Sequence, residues 1–180
     1  MEEVDGTWTF ILNEYGTYTV AISNGTITHL KKVVVNAVAQ YNIDMDYKLR
    51  LYENGNEYEE VTGGWVRGDN VSDNYITKYD DRLLIYYGRA GNPVVAKTVN
   101  NISTSMYSSL HVIFSLESYI DESNFAKVGF VDGDSWNLVE NTTDTSMREV
   151  TIDISSIDIS APVYINGYDV RINLYKIWLE

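Results

Sequence analysis

The sequence contains no cysteine and only two histidines and two prolines. Without cysteine there can be no disulfides, thiolate metal sites or cysteine nucleophiles. With His29 and His111 as the only imidazoles, no motif of a serine-histidine hydrolase or a histidine-ligated zinc enzyme is present, and no glycine-rich phosphate loop occurs. These absences predict a protein that acts by binding or by assembly and is not an enzyme.

The sequence also lacks long apolar segments and has little positive charge. No run approaches the ~20 apolar residues that span a bilayer, and the start, Met1-Glu2-Glu3, is acidic where a secretion signal is basic. We therefore expect neither membrane insertion nor a standard export signal. The formal net charge is −13. Because phosphate backbones repel a polyanion, we expect no nucleic-acid partner.

What is present is period-two alternation of apolar and polar side chains, which is typical of strands with one buried face. It is clear at residues 7–12 and 17–22 and longest at residues 41–51, which predict one extended strand. Asn54-Gly55 favours a tight hairpin turn, so we expect a second strand over residues 57–62.

The rest of the chain repeats this pattern with longer connections. In the final predicted strand the apolar residues occupy even positions up to residue 174 and odd positions from residue 177. This change predicts a bulge or a strand buried on both faces. A single turn of helix is the most we expect, around residues 103–108. Many short strands separated by turns predict an all-β fold, an antiparallel β-sandwich. Further strands are predicted at residues 26–35, 82–87, 94–99, 110–116, 127–130, 149–154, 163–165 and 170–179.

The pattern predicts two parts, residues 1–40 and 41–180. The front part holds three predicted strands, and about 40 residues are marginal for an independent domain. We therefore expect it to depend on the larger body, on another protomer or on a preceding module.

Aromatic residues give the main indication of a ligand, since the chain has 15 tyrosines and four tryptophans. Aromatic rings bind the apolar faces of sugars, while nearby carboxylates and amides hold the hydroxyl groups. The alternative is that both candidate tryptophans close the ends of the sandwich core. The predicted glycan-binding residues are Trp65, Asp69, Asn70, Trp136 and Asn137.

Acidic residues suggest two further sites, whereas His111 is expected to be an incidental surface histidine. Asp132 and Asp134 place carboxylate oxygens at alternate positions, as calcium-binding loops do, although ordinary turns show the same pattern. Apart from this structural calcium, no cofactor is predicted. Acidic runs at residues 57–60 and 80–81 could supply the carboxylate pair of a glycosidase, but such runs are usually solvated surface. His111 has the parity opposite to its apolar neighbours, so we expect it on a solvent-facing or half-buried surface.

Two stretches carry a family resemblance. The front, residues 6–20 followed by Val33-Val34-Val35, is similar to the closing strands of immunoglobulin-like repeats found in tail and surface proteins of phages and of prophages in gut bacteria. The body is similar to the jelly-roll module that follows those repeats, which resembles galactose-binding-like carbohydrate modules. The residues that carry this second likeness are Val61-Thr62-Gly63-Gly64-Trp65, Leu110-His111-Val112, residues 150–156 and residues 175–180.

The resemblance implies a small three-stranded immunoglobulin-like segment before a jelly-roll sandwich. It also implies a non-enzymatic structural or adhesion protein of a phage virion (tail, fibre or capsid decoration) that binds host-surface glycans. Its expected partners are copies of itself or other virion proteins. The alternative is a carbohydrate-binding module, secreted by a bacterium or held on its surface. A small carboxylate-based glycosidase is the third hypothesis.

Overall fold

The computed structural model describes residues 2–4, 7–12, 16–23, 28–35, 39–44, 48–68, 74–87, 95–121 and 124–180. The chain divides into two compact units, Met1–Tyr47 and Lys48–Glu180. Strands dominate both units, and the helix within the described residues is a single turn. The all-β prediction is therefore confirmed.

In the first unit, the described residues form two antiparallel sheets. One has the strand order β1-β2-β5, and the other is the hairpin of β3 and β4. The immunoglobulin-like nature of this segment stays a prediction. The strands are β1 Glu2–Val4, β2 Thr7–Leu12, β3 Gly16–Ser23, β4 Thr28–Val35 and β5 Ala39–Asp44.

The prediction of one strand over residues 41–51 is wrong. The strand β5 pairs with β2, so its residues belong to the first unit. Residues 49–53 form a separate strand that pairs with the final strand of the chain. Alternation shows that both stretches are extended, but it does not show which partner each one binds, and here the partners belong to different units.

The described residues of the second unit form thirteen strands and one helical turn. The strands are β6 Leu49–Glu53, β7 Trp65–Arg67, β8 Asn74–Lys78, β9 Leu83–Tyr87, β10 Ala96–Thr98, β11 Ile102–Ser103, β12 Ser109–Leu116, β13 Phe125–Phe130, β14 Ser135–Val139, β15 Arg148–Asp153, β16 Ser160–Ala161, β17 Val163–Tyr168 and β18 Val170–Leu179, and the helical turn is α1 Glu59–Thr62.

Eleven of these strands, all except β11 and β16, form the two layers of a sandwich. Their pairing is antiparallel except for one parallel bridge between Tyr168 of β17 and Tyr87 of β9. The first layer has the order β14-β13-β17-β10-β7. In the second layer β15, β12 and β18 are neighbours, and the far side of β18 pairs with β9 along one half and with β6 along the other. The side chains buried between the layers form one hydrophobic cluster to which both layers contribute. The sandwich prediction is confirmed.

Strict alternation in β12 separates the core from the outer surface. Leu110, Val112, Phe114 and Leu116 are buried, while the intervening side chains point to the outer face of the second layer. In β18 the register against β12 shifts, so that one extra residue, Tyr175, is accommodated. The predicted bulge is therefore present, and it changes which side of β18 faces the core.

The predicted strand over residues 57–62 is also wrong, because this stretch forms α1. The turn at Asn54-Gly55 occurs as expected, with Glu53 and Asn56 bridged. The Thr62 hydroxyl then donates to the Glu57 carbonyl at 2.8 Å, and Gly63 ends the helix with a φ of 67°. These local hydrogen bonds satisfy backbone carbonyl and N–H groups, which in a strand would pair with a neighbouring strand.

Residues 103–108 contain no helical turn. Ser103 pairs in the short β11–β16 ladder, and a hydrogen-bonded turn runs from Thr104 to Tyr107. Within the described part of the chain, no helix has the length and apolarity needed to cross a membrane.

Candidate ligand-binding site

Trp65 belongs to the core and not to a ligand surface. Its side chain is 1% exposed, and its indole N–H donates to the Leu51 carbonyl oxygen at 3.1 Å. A sugar has no access to such a ring. Its burial therefore favours the alternative in which this tryptophan closes the end of the sandwich.

The other predicted glycan-binding residues do not form one site in the part of the chain that is described. Asp69 and Asn70 lie outside the described residues. Trp136 is half-buried and meets Phe130 edge to face, with ring centres 6.2 Å apart. Asn137 is exposed and donates to the Glu140 carboxylate at 2.9 Å.

The Asp-rich loop is a turn between β13 and β14. Asp132 and Asp134 are exposed, and Asp132 adopts a positive φ of 61°. Backbone bonds from Phe130 to the Asp134 oxygen and from Gly133 to the Phe130 oxygen close the turn. Among the described residues, no group of three or more His, Cys, Asp or Glu side chains could hold a metal ion. A structural calcium at Asp132 and Asp134 stays a prediction.

Glu57, from the first acidic run, has a structural role. Its carboxylate accepts the Trp65 backbone N–H at 3.0 Å and pairs with Lys78 at 2.6 Å. Its side chain is only 10% exposed. The first contact links the segment just before α1 to the start of β7, and the second links it to β8. Glu57 is therefore a mostly buried structural carboxylate and not the solvated surface residue that the run predicted.

A hollow on the outer face of the second layer brings together residues that are distant in sequence. It lies across β12, β18 and β6 and has a cavity volume of about 120 Å³. Enclosed ligand pockets typically measure ~300–1,000 Å³, so this site would hold a ligand against an open surface. We call it the β6–β18 hollow; its lining residues are Lys48, Arg50, Tyr52, Glu53, Ile113, Lys176 and Trp178.

Two aromatic side chains line this hollow, the buried Tyr52 and the more accessible Trp178. Trp178 is half-buried and pairs across the strands with His111 on one side and with Arg50 on the other. The His111 imidazole is stacked on the indole with ring centres 4.6 Å apart and planes 6° from parallel. The Lys48 ammonium lies 5.2 Å from the indole centre. Because Lys48 immediately precedes β6, it approaches from the side opposite to His111.

Hydrogen bonds fix the orientation of the two rings. His111 Nδ1 lies 3.1 Å from both a Glu149 carboxylate oxygen and the Thr151 hydroxyl, and Nε2 lies 3.2 Å from the Ser109 hydroxyl. The indole N–H of Trp178 donates to the Glu180 carboxylate at 3.4 Å. The stack is therefore pre-organised before any ligand arrives.

Charged groups line the hollow beside the ring. The Glu53 carboxylate accepts a hydrogen bond from the Lys176 ammonium at 2.7 Å, and Arg50 Nε lies 3.4 Å from its other oxygen. The bond from Lys176 is the largest cause of a Glu53 pKa below the usual value for glutamate, and the bond from the Tyr58 hydroxyl adds to it. Glu53 therefore stays ionised. Burial raises the pKa of Tyr52 to about 12, so its phenol is neutral.

A second cleft lies near the far end of β13 and β14. It includes Asn124, Phe125, Asn137 and Glu140 and has a volume of about 310 Å³. Asn124 is already engaged, because its amide accepts the Asp121 backbone N–H and donates to the Tyr119 carbonyl. This cleft contains the predicted Asn137 but neither of the predicted tryptophans.

No pattern in the sequence indicates the β6–β18 hollow. The parity of β18 places Trp178 opposite the buried Ile177 and Leu179, and His111 has the outward position that was predicted. The pairing of β6, β12 and β18 brings these residues together, and no local pattern contains that pairing.

Comparison with known proteins finds no matching family model and no matching curated protein. Similar solved structures include a family 29 carbohydrate-binding module from Piromyces equi, with 13% identity and a TM-score of 0.48 over 73% of this chain and 89% of that chain. A variant of a second family 29 module has 12% identity and a TM-score of 0.48, covering 75% of this chain and 92% of that one.

A family 51 carbohydrate-binding module from Clostridium perfringens, in complex with methyl-galactose, has 10% identity and a TM-score of 0.35. It covers 76% of this chain and 89% of that chain. Because each of these TM-scores is below 0.5, the likenesses assign neither a family nor a function to this chain.

Proposed function

We propose that the Lys48–Glu180 unit is a non-catalytic carbohydrate-binding module. An oligosaccharide lies across the β6–β18 hollow, with one sugar ring against the indole of Trp178. The observation that carries this proposal is the pre-organised Trp178 ring at the edge of a hollow lined by hydrogen-bonding groups.

The chemistry of the hollow matches that of a sugar. A pyranose has an apolar C–H face that packs on an aromatic ring, and equatorial hydroxyls that need donors and acceptors around the ring. Here Trp178 supplies the apolar surface, Arg50 and Lys176 supply donors, and Glu53 supplies acceptors. Ile113 adds apolar surface to the hollow.

The Lys48 side chain is the group that a sugar would displace. Its side chain is 40% exposed, and its pair with Glu180 is long at 3.6 Å. Exposed ion pairs of this kind contribute only about 0–1 kcal/mol. A sugar on that side of the indole would take the place of the Lys48 ammonium, whereas His111 on the other side of the ring is held by several hydrogen bonds.

The biological setting is a separate question. A module of this kind serves equally as a host-glycan adhesin in a phage virion or as a surface or secreted module of a bacterium. The virion role, the assembly into homo-oligomers and the binding of other virion proteins stay predictions that rest on the resemblance in sequence. The genes that neighbour this one would distinguish the two settings.

Binding to a panel of immobilised glycans, neutral and acidic, tests the proposal. We expect Trp178→Ala to weaken binding of any retained glycan by about tenfold or more, because the ring contact is lost. The matched control is Tyr79→Ala, which removes an exposed aromatic ring outside the hollow. Near-UV circular dichroism verifies that both variants are folded.

Two outcomes would contradict the proposal. If no glycan of the panel is retained by the wild-type protein, carbohydrate binding is wrong. If a glycan is retained equally by the wild type and by Trp178→Ala but lost in Asn137→Ala, the ligand occupies the second cleft and the β6–β18 hollow is not the site.

A further inference from the structure

We infer that the saccharide bound at the β6–β18 hollow is anionic, with a carboxylate or sulfate group held by Arg50 and Lys176. This inference rests on the proposed function and specifies the class of ligand. It does not follow from the overall charge of the protein, which would repel an anionic glycan.

The first support is the local reversal of charge. The whole chain has a formal net charge of −13. The lining of the hollow contains Lys48, Arg50 and Lys176 against the single carboxylate of Glu53, so that its charge is 3 − 1 = +2. If Glu180, which pairs with Lys48, is included, the charge is still 3 − 2 = +1. Cationic side chains that line a depression attract an anionic ligand at short range.

The second support is that Arg50 and Lys176 already contact a carboxylate, that of Glu53. Lys176 and Arg50 each contact a different oxygen of Glu53, at 2.7 and 3.4 Å. The pKa of Glu53 lies below its usual value chiefly because of the Lys176 hydrogen bond, so the hollow favours the ionised form of a carboxyl group. A guanidinium has five N–H donors and an ammonium three, so the contacts with Glu53 do not use all the donors of either cation.

The third support is the spacing between the ring and the cations. Arg50 and Trp178 are direct partners across β6 and β18, a relation that places Cβ atoms ~4.5–5.5 Å apart. Lys176 lies two residues before Trp178 on β18 and lines the same hollow. One sugar unit therefore spans the distance from the indole to both cations, so a uronic acid or a sulfated sugar can use the ring and the charges together.

Three probes test the inference: polygalacturonate, its methyl-esterified neutral form and a sulfated polysaccharide such as chondroitin sulfate, with polyglutamate as a polyanion that contains no sugar. Binding is measured by calorimetry at low and high salt. We expect at least one anionic saccharide to bind more strongly than the neutral form and than polyglutamate. The affinity should fall as salt rises, because exposed charges are screened.

Substitutions in the hollow give the sharper result. Arg50→Gln and Lys176→Gln should each weaken binding of the anionic saccharide about tenfold, the effect of losing a charged hydrogen bond. Glu53→Gln should strengthen it severalfold, because a competing carboxylate is removed. The charge-matched control is Lys127→Gln on β13, outside the hollow, which should have little effect.

The outcomes separate the two proposals. Binding of neutral glycans that depends on Trp178 but is unchanged in Arg50→Gln and Glu53→Gln would overturn the anionic ligand and leave the carbohydrate function standing. Equal binding of polyglutamate would show that the hollow attracts charge without recognising a sugar. If neither neutral nor anionic saccharides bind, both proposals are wrong.

Discussion

Two tryptophans of the second unit have different roles at the level of single residues. Trp65 is 1% exposed, and its indole N–H is satisfied by the Leu51 carbonyl. Trp178 lies on the outer face of its strand, where His111 covers one face of the ring and the β6–β18 hollow borders it. Substitution of the first should therefore change stability, and substitution of the second should change binding.

We expect Trp65→Ala to lower the free energy of unfolding by about 3–5 kcal/mol, because it leaves a large cavity and an unpaired carbonyl. Trp178→Ala should cost far less, since the ring is only partly buried. Urea unfolding of both variants, compared with the wild type, measures the difference. Equal losses in the two variants would contradict the assignment of Trp65 to the core and Trp178 to the surface.

At the level of elements, β18 organises the second unit. It pairs with β12 along one edge and with β9 and β6 along the other. The bulge at Tyr175 changes the parity of the strand, so that Ile172 and Leu174 face the core before the change and Ile177 and Leu179 face it afterwards. Lys176 and Trp178 consequently share the outer face with the hollow.

The Glu53–Lys176 pair joins β6 to β18 and predicts a dependence of stability on pH. Because the pKa of Glu53 is lower in the folded protein, this pair contributes fully above the usual glutamate pKa of 4.5, and its contribution is lost as the pH falls through the lower folded value. We therefore expect Glu53→Gln to lower the free energy of unfolding by about 0.2–1 kcal/mol near neutral pH.

Urea unfolding of the wild type and Glu53→Gln across an acidic pH series measures this effect. The difference between the two proteins should shrink as the pH falls below about 4.5. A difference that is constant or grows over that range would show that the pair does not stabilise the fold through ionised Glu53. Lys127→Gln, which changes a lysine elsewhere, should show no such pH dependence.

At the level of the whole molecule, the buried hydrophobic cluster that the structure describes lies between Leu49 and Leu179. This range falls within the unit Lys48–Glu180, and so do all the lining residues of the β6–β18 hollow. The candidate site and the core that supports it are therefore parts of the same unit.

We expect a chain of residues 48–180 to fold alone and to keep the glycan binding of the full chain. Its core is formed by strands that pair within the unit, so removal of residues 1–47 should leave its cooperative unfolding intact. Thermal unfolding followed by near-UV circular dichroism, together with binding of a retained glycan, measures both properties. A shortened chain without a cooperative transition would show that the two units fold as one.

The local pattern of apolar and polar residues was sufficient to predict the bounds of several strands. The predictions for β9, β12, β15 and β18 match the structure to within one residue at each end. In β12 and β15 the reason is that alternation reports directly on a buried face. The local pattern failed at residues 41–51, where apolar residues at every second position continue through two strands that have different partners. It failed again at α1, where the hydroxyl of Thr62 bonds to the local backbone.

The sequence by itself determined the all-β class, the absence of cysteine chemistry and the outward position of His111. Each of these follows from composition or from period-two alternation, which are local properties. Only the tertiary structure decided that Trp65 is core and that Trp178, His111 and Arg50 lie side by side. The reason is that cross-strand neighbours are set by hydrogen bonding between β6, β12 and β18, whose residues are far apart in the chain.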